Sequence, residues 1–143
     1  MPAFQGFDHI DCRVRSLAAV ESFYDQLMPR LGLSRKRYCF IDTQGDWHEP
    51  ATGEPYNGVE YYEEPSGPGN VAHFIGFIED PAHIPGKTRI AFRVDFATIV
   101  ERESDLVSFG ARNIERSEDF EAYPALFFED AAGTKLELTA RKP

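Results

Sequence analysis

Sulfur and tryptophan are scarce in this chain of 143 residues, which holds two cysteines, two methionines and one tryptophan. Cys12 and Cys39 form no CxxC pair, so a disulfide framework is excluded. Both lie in apolar runs and read as buried, reduced thiols. No apolar run approaches the ~20 residues that a membrane span needs. The start, Met-Pro-Ala-Phe-Gln-Gly-Phe-Asp, lacks a basic region followed by an apolar stretch, so no secretory signal is visible and a cytoplasmic location is the default expectation. Positive charge is also short: 15 Lys and Arg face 24 Asp and Glu, a formal net charge of −9. That balance argues against nucleic acid and anionic membranes as partners, because phosphate binding needs clustered Lys and Arg. It permits a cationic ligand. No Gly-rich phosphate loop occurs, and no Cys-His or Ser-His-Asp set stands out.

What is present is a repeat. His9-Ile10-Asp11-Cys12-Arg13-Val14 returns as Arg89-Ile90-Ala91-Phe92-Arg93-Val94, with Ile, Arg and Val at the same offsets. Each copy precedes a helical pattern, so the chain reads as two similar modules in one domain spanning 1–143, with module one at about 5–80 and module two at about 88–141. Alternation predicts a strand at Phe7–Val14, with Ile10, Cys12 and Val14 on one face and His9, Asp11 and Arg13 on the other. Ser16 can cap a helix carrying the stripe Val20, Phe23, Leu27 and Leu31, with Gly32 as its C-terminal cap. Further strands are expected at Arg37–Asp42, Gly58–Glu63 and Val71–Ile78, the last two joined by a turn at Ser66-Gly67-Pro68-Gly69. The polar stretch Thr43–Tyr56 reads as a long ordered loop. In module two, Thr98 and Glu101 fit a capping box ahead of a helix ending near Gly110. Strands follow at Asn113–Arg116, Ala125–Glu129 and Lys135–Ala140.

These segments resemble the vicinal oxygen chelate superfamily, which includes glyoxalase I, bleomycin-resistance proteins and extradiol dioxygenases. The likeness is carried by Asp8-His9-Ile10 with Arg13-Val14, by Ser22-Phe23-Tyr24 with Leu31-Gly32-Leu33, and by Ile90–Asp95. Phe109-Gly110-Ala111, Phe127–Asp130 and Gly133–Leu138 complete it. The resemblance implies an α+β fold of two βαβββ modules, forming an open, barrel-like, eight-stranded mixed sheet around a cleft. It also implies a small-molecule ligand, frequent homodimers and a divalent metal (Zn, Fe, Mn or Ni) held by the first and last strands of each module.

Carried over residue by residue, the resemblance assigns His9 and Glu137 as metal ligands, with Glu137 also the candidate catalytic base. In module one's last strand the ligand position falls on His73 or on Ile75, depending on register. If it is His73, then His9, His73 and Glu137 form a three-ligand set suited to a glyoxalase-like metalloenzyme. Module two departs from the pattern at Arg89, which has no lone pair to donate. Arg89 paired to Glu137 instead would give a metal-free pocket for binding or sequestration, in the manner of bleomycin-resistance proteins. Arg13, Arg89 and Arg93 share the cleft-facing parity and are candidate substrate contacts, with Trp47 and Tyr62 as possible aromatic lining. Asp11 is an alternative salt-bridge partner for Arg13.

Overall fold

The computed structural model describes residues 3–67 and 72–142. Val71 and part of the expected turn, Pro68-Gly69, lie outside them. Among the described residues there are two helices and two mixed sheets, so the fold is α+β. The elements in chain order are β1 (His9–Val14), α1 (Leu17–Arg30), β2 (Arg35–Ile41), β3 (Trp47–His48), β4 (Gly58–Tyr62) and β5 (Phe74–Glu79). Then come β6 (Arg89–Arg93), α2 (Phe96–Ser108), β7 (Arg112–Arg116), β8 (Ala125–Glu129) and β9 (Lys135–Thr139).

The first sheet has the order β1-β5-β4-β2-β3 and the second β6-β9-β8-β7. In both, the module's first strand runs parallel to its last, and the remaining pairs are antiparallel. The repeat seen in the sequence is therefore a repeat of topology. β3 is a two-residue addition within the stretch expected to be a loop, with Phe40 opposite His48 and Ile41 opposite Trp47.

The chain divides into two compact units: residues up to Leu17 with Met28–His83, and Ala18–Leu27 with the chain from Ile84 onward. In the first, strand alternation buries Val14, Val59, Tyr61, Ile75 and Phe77 on one face. Glu79 on β5 accepts the backbone N–H of Leu17 at 2.8 Å, satisfying one of the orphan donors at the start of α1. That helix ends at Gly32 (φ 93°), where the N–H of Leu33 returns to the Met28 carbonyl at 3.0 Å.

In the second unit, Leu126, Phe128, Leu136 and Leu138 form the buried face. The middle of α1 belongs here, although in sequence it follows β1. Phe23 lies 6.3 Å from Phe128 between ring centroids, and Tyr24 donates to the buried carboxylate of Asp130 at 2.6 Å. α2 buries Ile99 and Leu106. Its N-cap is Asp95, not Thr98: Asp95 Oδ1 accepts the Thr98 N–H at 2.7 Å. A carboxylate three residues earlier reaches this donor directly, and the Thr98 hydroxyl, together with the Thr98 N–H, holds Asp95 below the usual carboxylate range.

Candidate functional site

Each sheet turns its second face away from its buried one, and His9, Arg13, Tyr62, Arg89, Arg93 and Glu137 sit on those faces. In the first unit, strand parity and register bring together His9, Asp11 and Arg13 of β1, Phe74 and Gly76 of β5, Glu60 and Tyr62 of β4, and Arg37 of β2. His9 stacks flat on Phe74, with ring centroids 4.5 Å apart and planes 1° from parallel. Its Nδ1 lies 2.6 Å from Asp8 Oδ2, and its Nε2 lies 3.7 Å from Asp11 Oδ2. The hydrogen bond to Asp8 raises the imidazole pKa above its ordinary value; the charges of Asp11, Asp8 and Glu60 add to this, and desolvation opposes it. Arg37 Nε donates to Glu60 Oε1 at 2.7 Å, and the guanidinium stands 5.1 Å from the Tyr62 centroid and 4.8 Å from that of Phe74. Arg37, Tyr62 and Phe74, with Pro65 and Ala72, line a depression of about 260 Å³.

The corresponding face of the second unit carries Arg89, Ala91 and Arg93 of β6, Lys135, Glu137 and Thr139 of β9, and Phe127 of β8. Arg89 lies 4.5 Å above Phe127, measured to the ring centroid. Glu137 is buried, and its Oε1 accepts from Tyr123 Oη at 3.0 Å. The expected Arg89–Glu137 ion pair is not formed among the described residues. Arg89 is drawn to an aromatic face, and the carboxylate takes a phenol donor instead. Ala91 is the residue opposite Glu137; Arg89 sits opposite Lys135.

The register also answers the question left open for module one. Glu137 pairs with Ala91, two residues after Arg89; the residue paired with Asp11, two after His9, is Gly76. The position equivalent to Glu137 is therefore Gly76, and neither His73 nor Ile75 occupies it. His73 precedes β5, is exposed, and its Nδ1 lies 2.9 Å from Glu63 Oε1. Ile75 is in the core. The strand positions to which the resemblance assigns ligands thus hold His9 and Gly76 in the first unit, and Arg89 and Glu137 in the second. One has no side chain and one is a permanent cation. Among the described residues no three His, Cys, Asp or Glu side chains group as a metal site. Neither unit's pair by itself offers the donors that a divalent metal needs.

Arg35, Arg37, Arg102 and Arg116 each have a carboxylate partner. Arg13, Arg89 and Arg93 have none within ion-pair distance among the described residues; Asp11, the alternative partner for Arg13, is turned toward His9. Lack of a carboxylate partner is not special to the strand faces: Arg15, Arg112 and Arg141 also have none within ion-pair distance among the described residues. Tyr62 is half-buried beside Arg37. Trp47 is exposed in the β2–β3 hairpin, away from these side chains in the register. Glu60 was not singled out in the sequence. Its signal was Glu60 in an otherwise apolar strand, Gly58-Val59-Glu60-Tyr61-Tyr62.

No family model and no curated protein matches the chain by sequence. Solved structures do match it by shape. A glyoxalase/bleomycin resistance protein from Albidiferax ferrireducens is 16% identical with a TM-score of 0.61, covering 95% of this chain and 98% of that one. A mutant of the fosfomycin resistance protein FosX from Listeria monocytogenes, complexed with Mn(II) and 1S,2S-dihydroxypropylphosphonic acid, is 16% identical at a TM-score of 0.57, covering 96% and 93%. An integron cassette protein from the mobile metagenome of a Halifax Harbour sewage outfall is 18% identical at 0.58, covering 96% and 100%. The glyoxalase, bleomycin-resistance and FosX structures are members of the vicinal oxygen chelate superfamily, and the chain has their fold. No helix among the described residues is long and apolar enough to cross a membrane.

Proposed function

We propose that this vicinal oxygen chelate fold binds or sequesters a small organic anion through arginines on its first strands, without a divalent metal. In this reading the two βαβββ modules form one domain, with an open, barrel-like sheet around a shared cleft, and the chain works as a homodimer. The observation that carries the reading is Arg89. It stands at a position from which the superfamily draws metal ligands, and its guanidinium has no carboxylate partner among the described residues. Arg93 on the same strand and Arg13 on β1 share that condition. A planar guanidinium matches a carboxylate or phosphonate with two parallel hydrogen bonds, and its stacking on Phe127 holds the plane in place. Glu137, with its hydrogen bond from Tyr123, sits opposite Ala91 between the two arginines of β6 and would accept from a ligand hydroxyl.

Calorimetry on chelator-treated protein, with propylphosphonate and benzoate as probes, tests this. Saturable binding is expected without added metal, and Arg89→Ala should weaken it by roughly tenfold or more, the scale of one charge-assisted bidentate contact. Binding that appears only after Mn(II) is added, and is lost in His9→Ala and Glu137→Ala, overturns the reading in favour of a glyoxalase-like metalloenzyme.

A further inference from the structure

The segment between β2 and β4 builds two depressions that the strand faces above do not use. One, of about 380 Å³, is lined by Tyr38, Tyr56, Glu54 and Pro50 with the turn at Thr52 and Gly53. Its neighbour, of about 410 Å³, is lined by Phe40, His48, Glu49, Pro55 and again Pro50 and Glu54. Glu54 and Pro50 therefore border both. We propose that this pair of depressions is a second binding site, specific for an organic cation of the alkylammonium or quaternary ammonium class.

Aromatic rings are the first element. Tyr38 and Tyr56 stand 4.6 Å apart between centroids with planes inclined at 56°, which forms an open corner of two electron-rich faces. Both are partly exposed. Tyr38 already accepts an ammonium: Lys36 Nζ lies 4.8 Å from its centroid. A cation near an aromatic face is held by the ring quadrupole, and a quaternary ammonium carries the least competing hydration.

Charge is the second element. Glu54 and Glu49 have no cationic partner within ion-pair distance among the described residues. Glu54 is held in place, because its Oε2 accepts the Ala51 N–H at 3.0 Å while its own N–H returns to the Ala51 carbonyl at 3.0 Å. One carboxylate oxygen is committed to the turn, and the other is left for a ligand.

Rigidity is the third. Asn57, next to Tyr56, clamps the end of the segment to β2. Its side chain accepts the Ile41 N–H and donates to the Ile41 carbonyl, each at 2.8 Å, and its N–H reaches the Cys39 carbonyl at 3.1 Å. At the other end, Asp42 accepts the N–H groups of Gln44 and Asp46 and lies 2.6 Å from His48 Nε2. The site is thus preorganised, so little ordering cost is left to binding.

The ligand of this site has the opposite sign to the one proposed for the strand faces, and the two readings fail separately. The test is calorimetric titration of the full chain with choline and with its neutral isostere 3,3-dimethylbutan-1-ol. Choline should bind saturably, and the isostere at least about tenfold more weakly, because only the charge differs. Tyr56→Leu and Glu54→Gln should each weaken choline by about fivefold or more; Glu54→Gln keeps the oxygen that accepts from Ala51, so its fold is preserved. Lys36→Met, which removes the competing ammonium, should tighten it. Arg89→Ala should leave choline binding unchanged while weakening the anion. Equal binding of the two isosteres, absence of saturable choline binding, or a folded Glu54→Gln that binds choline like the parent each overturn the proposal.

Discussion

Replacing Tyr24 by Phe removes one oxygen atom from the interior and little else. Tyr24 and Asp130 are both fully buried, and their hydrogen bond of 2.6 Å joins the middle of α1 to the turn between β8 and β9. The ring would keep its edge contact with Phe23, whose centroid is 4.9 Å away, so no cavity opens. What is lost is a hydrogen bond to a buried carboxylate. Asp130 Oδ1 keeps the N–H groups of Ala132 and Thr134, at 2.8 and 2.9 Å, but Oδ2 is left without its phenol donor. Hydrogen bonds to charged groups contribute about 1.5–3 kcal/mol, and stranding a buried acceptor adds its desolvation cost. The expected loss is about 2 kcal/mol, a fall in Tm of roughly 6 °C for a chain of this size. Urea unfolding followed by far-UV circular dichroism measures it. With Asp130→Asn in a double-mutant cycle, most of the loss should appear as coupling between the two positions. If Tyr24→Phe costs less than about 0.5 kcal/mol, the bond contributes nothing net, and the assignment of α1's middle to the second unit rests on apolar packing alone.

Gly76→Glu, which would place a carboxylate at the position equivalent to Glu137, should destabilise the chain by about 1–3 kcal/mol in urea titrations. A Cβ there would lie 3.1 Å from Asp11 Oδ1 and 3.4 Å from Glu60 Cγ, and the added charge would face both carboxylates. An unchanged midpoint would mean that this face is looser than its register implies. His9 should titrate above 6.5 when its ring proton is followed by NMR, and Asp8→Asn should bring it back toward that value. Because its folded pKa is raised, the stabilisation from His9 is fully present below pH 6.5 and is lost as pH rises through the folded value; a midpoint at or below 6.5 would refute the Asp8 contact.

The amino-acid order alone determined the helices, the strands other than β3, and which side chains share a face. The period of two in His9–Val14 and in Lys135–Leu138 separates apolar from polar positions wherever one face is buried, and the repeat identifies the two modules. Arg89 in place of His9 was visible for the same reason. Local choices between competing groups were less legible: Asp95 rather than Thr98 caps α2, because both residues offer an oxygen and only backbone geometry selects one. Tertiary structure alone decided the rest. Whether His73, Ile75 or Gly76 stands opposite Asp11 depends on hydrogen-bond register between strands some sixty residues apart, and a shift of one residue exchanges the two faces of a strand. Tyr24 meets Asp130 across 106 positions, and Glu137 turns to Tyr123 rather than to Arg89. Such pairings depend on which backbone positions the packed core brings within hydrogen-bond reach, and no periodicity along the chain encodes that.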